Sequence, residues 1–264
     1  MAHVVYPTPD HERAASAIRD HFAARGDIEA VLLVGSTARG KASRDSCLDI
    51  TVLARPEILA SRRAGIEQQW NACHMSADVF RALRSVGKYS HVDLDVINGC
   101  FVPGYHGWTS GPDEFELEIG NALVHSVPLW EGGTYLDELK AHWLPYYGED
   151  LRRERLAMAL RYCYNNLDHI PLFVERGLYF QAFNRLYDAY REFLQALFIG
   201  RRVYPIAYDK WIREQTEEIL GLPELYEQLP RLFEVRRFES RELAEKAEDV
   251  RRLVQSYAAD SDAL

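Results

Sequence analysis

No run in the 264-residue chain approaches the roughly 20 consecutive apolar residues that a membrane-spanning helix needs. The first residues, MAHVVYPTPDHERAAS, lack the basic-then-apolar order of a secretory leader, so the expected location is cytoplasmic, with no membrane partner. The four cysteines, Cys47, Cys73, Cys100 and Cys163, show no C-x-x-C spacing, which removes a structural zinc site and a disulfide framework from consideration. They read as reduced thiols, three of them in the core. Positive charge is in deficit: 31 lysines and arginines stand against 40 aspartates and glutamates, a net charge of -9. Binding nucleic acid by its backbone needs the opposite balance, so nucleic acid is not expected as a partner and a small or cationic substrate is. Arg236, Arg237, Arg251 and Arg252 read as a solvated helix face. No internal repeat or low-complexity tract occurs, and the sequence assigns no oligomeric state.

What is present is ordinary globular material. Apolar residues at 47% and charged residues at 27% suit a folded chain, long enough for two domains. Residues 9–25 place apolar side chains at helical spacing before Gly26, which predicts an amphipathic helix. Ile28 to Val34, apolar and β-branched between Gly26 and Gly35, predicts a buried strand; Leu48 to Leu53 predicts a second, closed by Pro56. Helix is expected around Leu59 to Arg84. His91 to Ile97 alternates, so that His91, Asp93, Asp95 and Ile97 share one face of a third strand.

The stretch to Gly148 is rich in Gly, Pro and Trp and carries no clear period. From Leu151 the spacing turns helical: Leu156, Leu160, Cys163, Leu167 and Ile170 recur at 3.6-residue intervals, as do Phe180, Phe183, Tyr187, Tyr190, Leu194 and Leu197. Further helices are expected over Tyr208 to Leu220 and Glu239 to Ala258. The plan is a mixed α/β domain over 1–148 and a helical domain over 149–264.

The chemistry-bearing run starts where the first strand ends. Gly35 allows close backbone approach to a ligand, and the Ser36 hydroxyl can hold a phosphate oxygen. Arg39, Gly40 and Ser46 follow in the loop, then Cys47-Leu48-Asp49 enters the next strand. Residues separated by one position on a strand point the same way, so positions 47 and 49 face one site, and Asp93 or Asp95 can add a carboxylate from the third strand.

This run resembles the polymerase-beta-like nucleotidyltransferase superfamily, particularly its small members that adenylylate aminoglycosides or lincosamides. The matching residues are Gly35, Ser36, Ala38, Arg39, Gly40, Ser46, Leu48 and Asp49. Cys47 stands where that family has the first aspartate of its pair. The resemblance implies an α+β nucleotidyltransferase fold, a mixed sheet with flanking helices, plus a C-terminal helical bundle. It implies transfer of a nucleoside monophosphate from ATP or another NTP to a hydroxyl of a small molecule, which is antibiotic modification in those members. Mg2+ is the implied cofactor, with Mn2+ or a single metal as variants.

Under that resemblance Asp49 and Asp95, or Asp93 in its place, are the metal ligands and catalytic carboxylates, Asp95 being preferred as deeper in its strand. Gly35, Ser36, Arg39, Ser46 and Lys210 are the nucleotide contacts, and Asn184 and Asp188 are candidates for the acceptor. His91, His106, His125 and His169 show no metal spacing and read as structural. Two rivals stand beside this reading: a nucleotide-binding protein of the same fold that has lost transfer or runs another NTP-dependent reaction, and the nucleotidyltransferase half of a toxin–antitoxin pair.

Overall fold

Thr8 and Pro9 start the first helix: the Thr8 hydroxyl accepts from the His11 N–H, and proline supplies a preset φ where no hydrogen bond is lost. The computed structural model describes residues 4–104 and 111–258, so His106 lies outside it. Two compact units emerge, Met1–Val102 with Glu118–Leu144, and Pro103–Leu117 with Pro145–Leu264.

The first unit runs α1 (Pro9–Ala23), β1 (Ala30–Leu33), α2 (Gly35–Ala38), β2 (Leu48–Leu53), α3 (Pro56–Ser76), α4 (Asp78–Arg84) and β3 (Val92–Ile97). The short helix α5 (Phe115–Ile119) begins in the second unit and ends in the first; after it and a π-helical turn come β4 (Val127–Glu131) and α6 (Tyr135–Trp143). Strand order is β3-β2-β1-β4, with β1 antiparallel to both neighbours and β2 parallel to β3. The fold is therefore mixed α/β, built on a four-stranded mixed sheet. Strand β4 escaped the sequence pattern because Pro128 interrupts it. Proline is tolerated here because β4 is an edge strand, and its register with β1 shifts between Val31 and Leu32.

Alternation divides the sheet. Leu48, Ile50 and Val52 of β2, with Val92 and Val96 of β3, join Ile18 and Phe22 of α1 and Ile66 and Trp70 of α3 in one core. Asp49 and Asp93 consequently point to the opposite face.

The second unit holds α7 (Glu149–Glu175) and α8 (Tyr179–Arg201), followed by α9 (Pro223–Tyr226) and α10 (Glu242–Leu253). The stripes of α7 and α8 form its core, with Phe193, Leu197 and Tyr208 buried among them, except that Phe180, at the start of α8, is exposed. The helix expected over Tyr208 to Leu220 contracts to a π-helical stretch, Glu214–Ile219. Gln215 explains the loss: its side chain accepts from the N–H groups of Ile206 and Ala207 at 2.7 and 3.3 Å and donates to Ala207 O at 2.8 Å, satisfying a non-helical loop. The expectation of three core cysteines is also corrected. Cys163 is buried, Cys47 and Cys73 are partly exposed, and Cys100 is exposed.

Pro103–Leu117 belongs with the helical unit because Arg155 holds it there. The Arg155 guanidinium donates to Asp113 at 2.6 and 2.7 Å and to Glu116 at 2.7 and 2.9 Å, while Gln195 and Tyr147 complete the Glu116 carboxylate. Removing one partner of such a pair strands a buried charge.

Glu192 is buried without a counter-charge of that quality. Asn166 donates to its Oε2 at 2.7 Å, and Oε1 has no partner. Desolvation pushes its pKa up from 4.5 to about 8. The folded state thus holds a proton that the unfolded chain gives up, so stability is complete below the ordinary carboxyl range and falls as pH rises towards 8. At about 1.4 kcal/mol per pH unit, the loss by pH 7 is on the order of 3 kcal/mol. Glu192→Gln, which keeps the Asn166 bond, is expected to flatten this dependence and raise the urea midpoint at pH 7. A wild-type midpoint that does not change between pH 5 and pH 8 would show that Glu192 ionises freely.

Candidate functional site

Gly35 sits at the end of β1 with φ +66, a conformation that side chains rarely adopt. A Cβ there would lie 2.0 Å from Asp49 Oδ2. Glycine is thus required twice, by the turn and by the carboxylate packed over it. The turn itself is the four-residue helix α2, braced by Arg39, whose Nη1 donates to Gly35 O at 2.9 Å, and by the Lys41 N–H, which donates to Ser36 O at 2.9 Å. Ser36 remains partly exposed at its start.

The loop into β2 is pinned from two sides. His11 is buried in α1, and its Nε2 lies 3.0 Å from Ser46 O; a carbonyl only accepts, so Nε2 donates, while Nδ1 lies 2.7 Å from the Thr8 hydroxyl. On the other side Asp45 Oδ1 accepts from the Tyr89 N–H at 3.3 Å, and Ser90 Oγ donates to Arg44 O at 3.0 Å. The Ser46 hydroxyl accepts from the Ser43 N–H at 2.9 Å, so its visible bond closes the loop on itself.

Parallel pairing then aligns the strands. Asp49 lies opposite Asp93, and the Leu48 N–H donates to His91 O at 2.8 Å, which puts Cys47 and His91 side by side just before the ladder. One ligand atom from each of Cys47, Asp49 and Asp93 falls within 4.8 Å of the others. Asp95 is not part of this group: it pairs with Thr51, one repeat further along, although the polar groove it lines with Arg63, Glu67 and Asn71 also takes in Asp93. Sequence preferred Asp95 as deeper in its strand; the pairing register instead sets Asp93 opposite Asp49.

The electrostatics of the cluster follow from its crowding. Burial, a hydrogen bond to the Asp49 carboxylate and the charges of Asp49 and Asp93 together push the Cys47 thiol up to about 12. His91, read from sequence as structural, places Nε2 at 3.2 Å from Asp93 Oδ1. Their side chains are 44% and 57% exposed, so this edge of the cluster is open to water. The signal for His91 was present in the two-residue period that puts it on the face of Asp93. What it lacked was spacing to any other histidine or cysteine.

The remaining expected site residues belong to the helical unit. Asn184 Nδ2 donates to Asp188 Oδ2 at 3.0 Å, and Arg191 lies 3.8 Å from the same carboxylate. Lys210 is exposed, and its backbone carbonyl accepts from Gln215.

The donors can be weighed against the pair of Mg2+ ions that the family resemblance implies. Magnesium takes hard oxygen ligands in near-octahedral geometry, and here a thiol occupies one of the three donor positions. The set does not fit two magnesium ions. Two carboxylates and a sulfur within one small sphere suit a single divalent cation of softer character.

The chain matches no protein-family model and no curated protein. Among solved structures it is similar to a nucleotidyltransferase-like protein from Exiguobacterium sibiricum 255-15, at 14% identity and a TM-score of 0.47, over 93% of this chain and 74% of that one.

The contact between Gly35 and Asp49 generates a prediction. Gly35→Ala forces a left-handed backbone onto a side chain, at about 1–3 kcal/mol, and drives its methyl into the Asp49 carboxylate. The expected outcome is a lower melting temperature together with loss of divalent-cation binding. An unchanged cation affinity in a folded variant would mean that Asp49 does not serve a ligand.

Proposed function

We propose that the protein binds a nucleoside triphosphate at the β1–β2 loop and transfers its nucleoside monophosphate to a hydroxyl of a small molecule. The observation that supports this best is the in-register pair Asp49 and Asp93, set beside the Gly35-Ser36 turn, with the Asp93 edge of the pair exposed to water. Ser36 offers its hydroxyl to a phosphate oxygen, and Arg39 fixes the turn that presents it. Asp49 and Asp93 offer carboxylates to one divalent cation, which when bound neutralises charge on the phosphates. ATP is the donor to test first, and a small alcohol, such as an aminoglycoside or lincosamide, the acceptor class. The net charge of -9 favours cationic acceptors of this kind.

A second reading has its own observation. Cys47 removes one hard ligand from the cluster, and a protein that binds nucleotide without transferring it needs no second metal.

Calorimetry of ATP with a divalent cation, followed by pyrophosphate release across a panel of acceptor alcohols, separates the two. Transfer predicts acceptor-dependent release that Asp49→Asn lowers by at least a hundredfold, and ATP affinity that Ser36→Ala weakens several-fold. Binding without release on every acceptor supports the second reading. Lys210→Ala, run alongside, tests the phosphate contact that the family resemblance assigns to that lysine. Absence of ATP binding under all cations would remove both readings.

A further inference from the structure

The mismatch between this donor set and magnesium is itself informative. Cys47, Asp49 and Asp93 converge from the entry of β2 and from β3, and all three point to the same side of the sheet. The fourth neighbour is again not an oxygen: His91 Nε2 contacts Asp93 Oδ1 at 3.2 Å. Each member is fixed by the fold. His11 anchors the carbonyl next to Cys47, Gly35 makes room for Asp49, and the ladder sets Asp93 opposite it.

We propose that this cluster is a mononuclear site for a thiophilic divalent cation of the zinc and cobalt class, selected over magnesium by the Cys47 sulfur. Cys47, Asp49 and Asp93 supply three protein ligands and leave a coordination position open for water or a substrate oxygen, the arrangement that distinguishes working zinc sites from closed structural ones. The thiol gives its proton to solvent as the sulfur–metal bond forms. His91 is a positioning residue: it holds the Asp93 carboxylate from the solvent side, as groups around ligating carboxylates commonly do. Soft sulfur favours zinc and cobalt over magnesium, whereas three aspartates would not. The inference rests on the reading above in taking this face of the sheet as the working site, and its test keeps the two apart.

The full chain is titrated with Co2+ in the absence of nucleotide. A sulfur-to-cobalt charge-transfer absorption is expected, displaced by stoichiometric Zn2+ and untouched by a large excess of Mg2+. Cys47→Ser should abolish that absorption in a protein whose circular dichroism is unchanged, which also excludes the exposed Cys100 as its source. His91→Ala should keep the absorption but weaken Co2+ binding tenfold to a hundredfold. Cys47→Asp should invert the preference, so that Mg2+ competes. Cobalt bound without the charge-transfer absorption, an absorption that survives Cys47→Ser, or displacement by Mg2+ as readily as by Zn2+ overturns the proposal. If the absorption appears yet no cation supports pyrophosphate release, the metal site stands and the transfer reading falls. Release supported by Mg2+ alone, with no absorption, has the opposite consequence.

Discussion

The parallel pairing of β2 with β3 is the constraint from which the candidate site follows. Leu48, Ile50 and Val52 must enter the same core as Val92 and Val96, beneath α1 and α3. Side chains alternate on a strand, so satisfying that burial puts Asp49 and Asp93 on the other face, directly opposite one another. A slip of one residue would bury two carboxylates and expose the valines and leucines, a change costing several kcal/mol for each uncompensated charge. Packing of apolar residues on one side of the sheet thereby sets the spacing of donors on the other.

The loop before β2 is equally determined, although it contains little regular structure. The buried His11 ties Ser46 to α1, and Asp45 ties the same loop to the turn before β3. Both contacts span long sequence separations. They account for how Cys47 reaches the cluster while Asp45, only two residues earlier, is directed away from it.

In the helical unit, buried polarity is concentrated and unevenly compensated. Arg155 satisfies two carboxylates at once, so Asp113 and Glu116 bring a distant segment into this core. Glu192 has only an amide partner and retains its proton to about pH 8. Most of the stripe of α8 that periodicity identified packs on the core, where Tyr190 and Phe233 meet edge to face at 5.1 Å, but its first member, Phe180, is exposed. Of the basic residues near the C-terminus, Arg252 pairs within its helix with Asp249, and Arg251 reaches across to Asp168 of α7.

The mixed α/β plan, the positions of β1, β2 and β3, the two long helical stripes and the turn at Gly35 between the first two strands were all readable from sequence. Each depends on local chemistry: periods of two or 3.6 residues, glycine at a strand end, proline at a helix start. Strand β4 was not readable, because its proline is acceptable only at a sheet edge, and edge position is a property of the whole sheet. The placing of Asp93, and not Asp95, opposite Asp49, the arrival of His91 beside the cluster and the burial of Glu192 with only an amide hydrogen bond depend on which strand pairs with which, in what register, and on which helices enclose a residue. Those are relations between segments far apart in the chain, decided by the packing of the apolar core and carrying no local signature in the residues themselves.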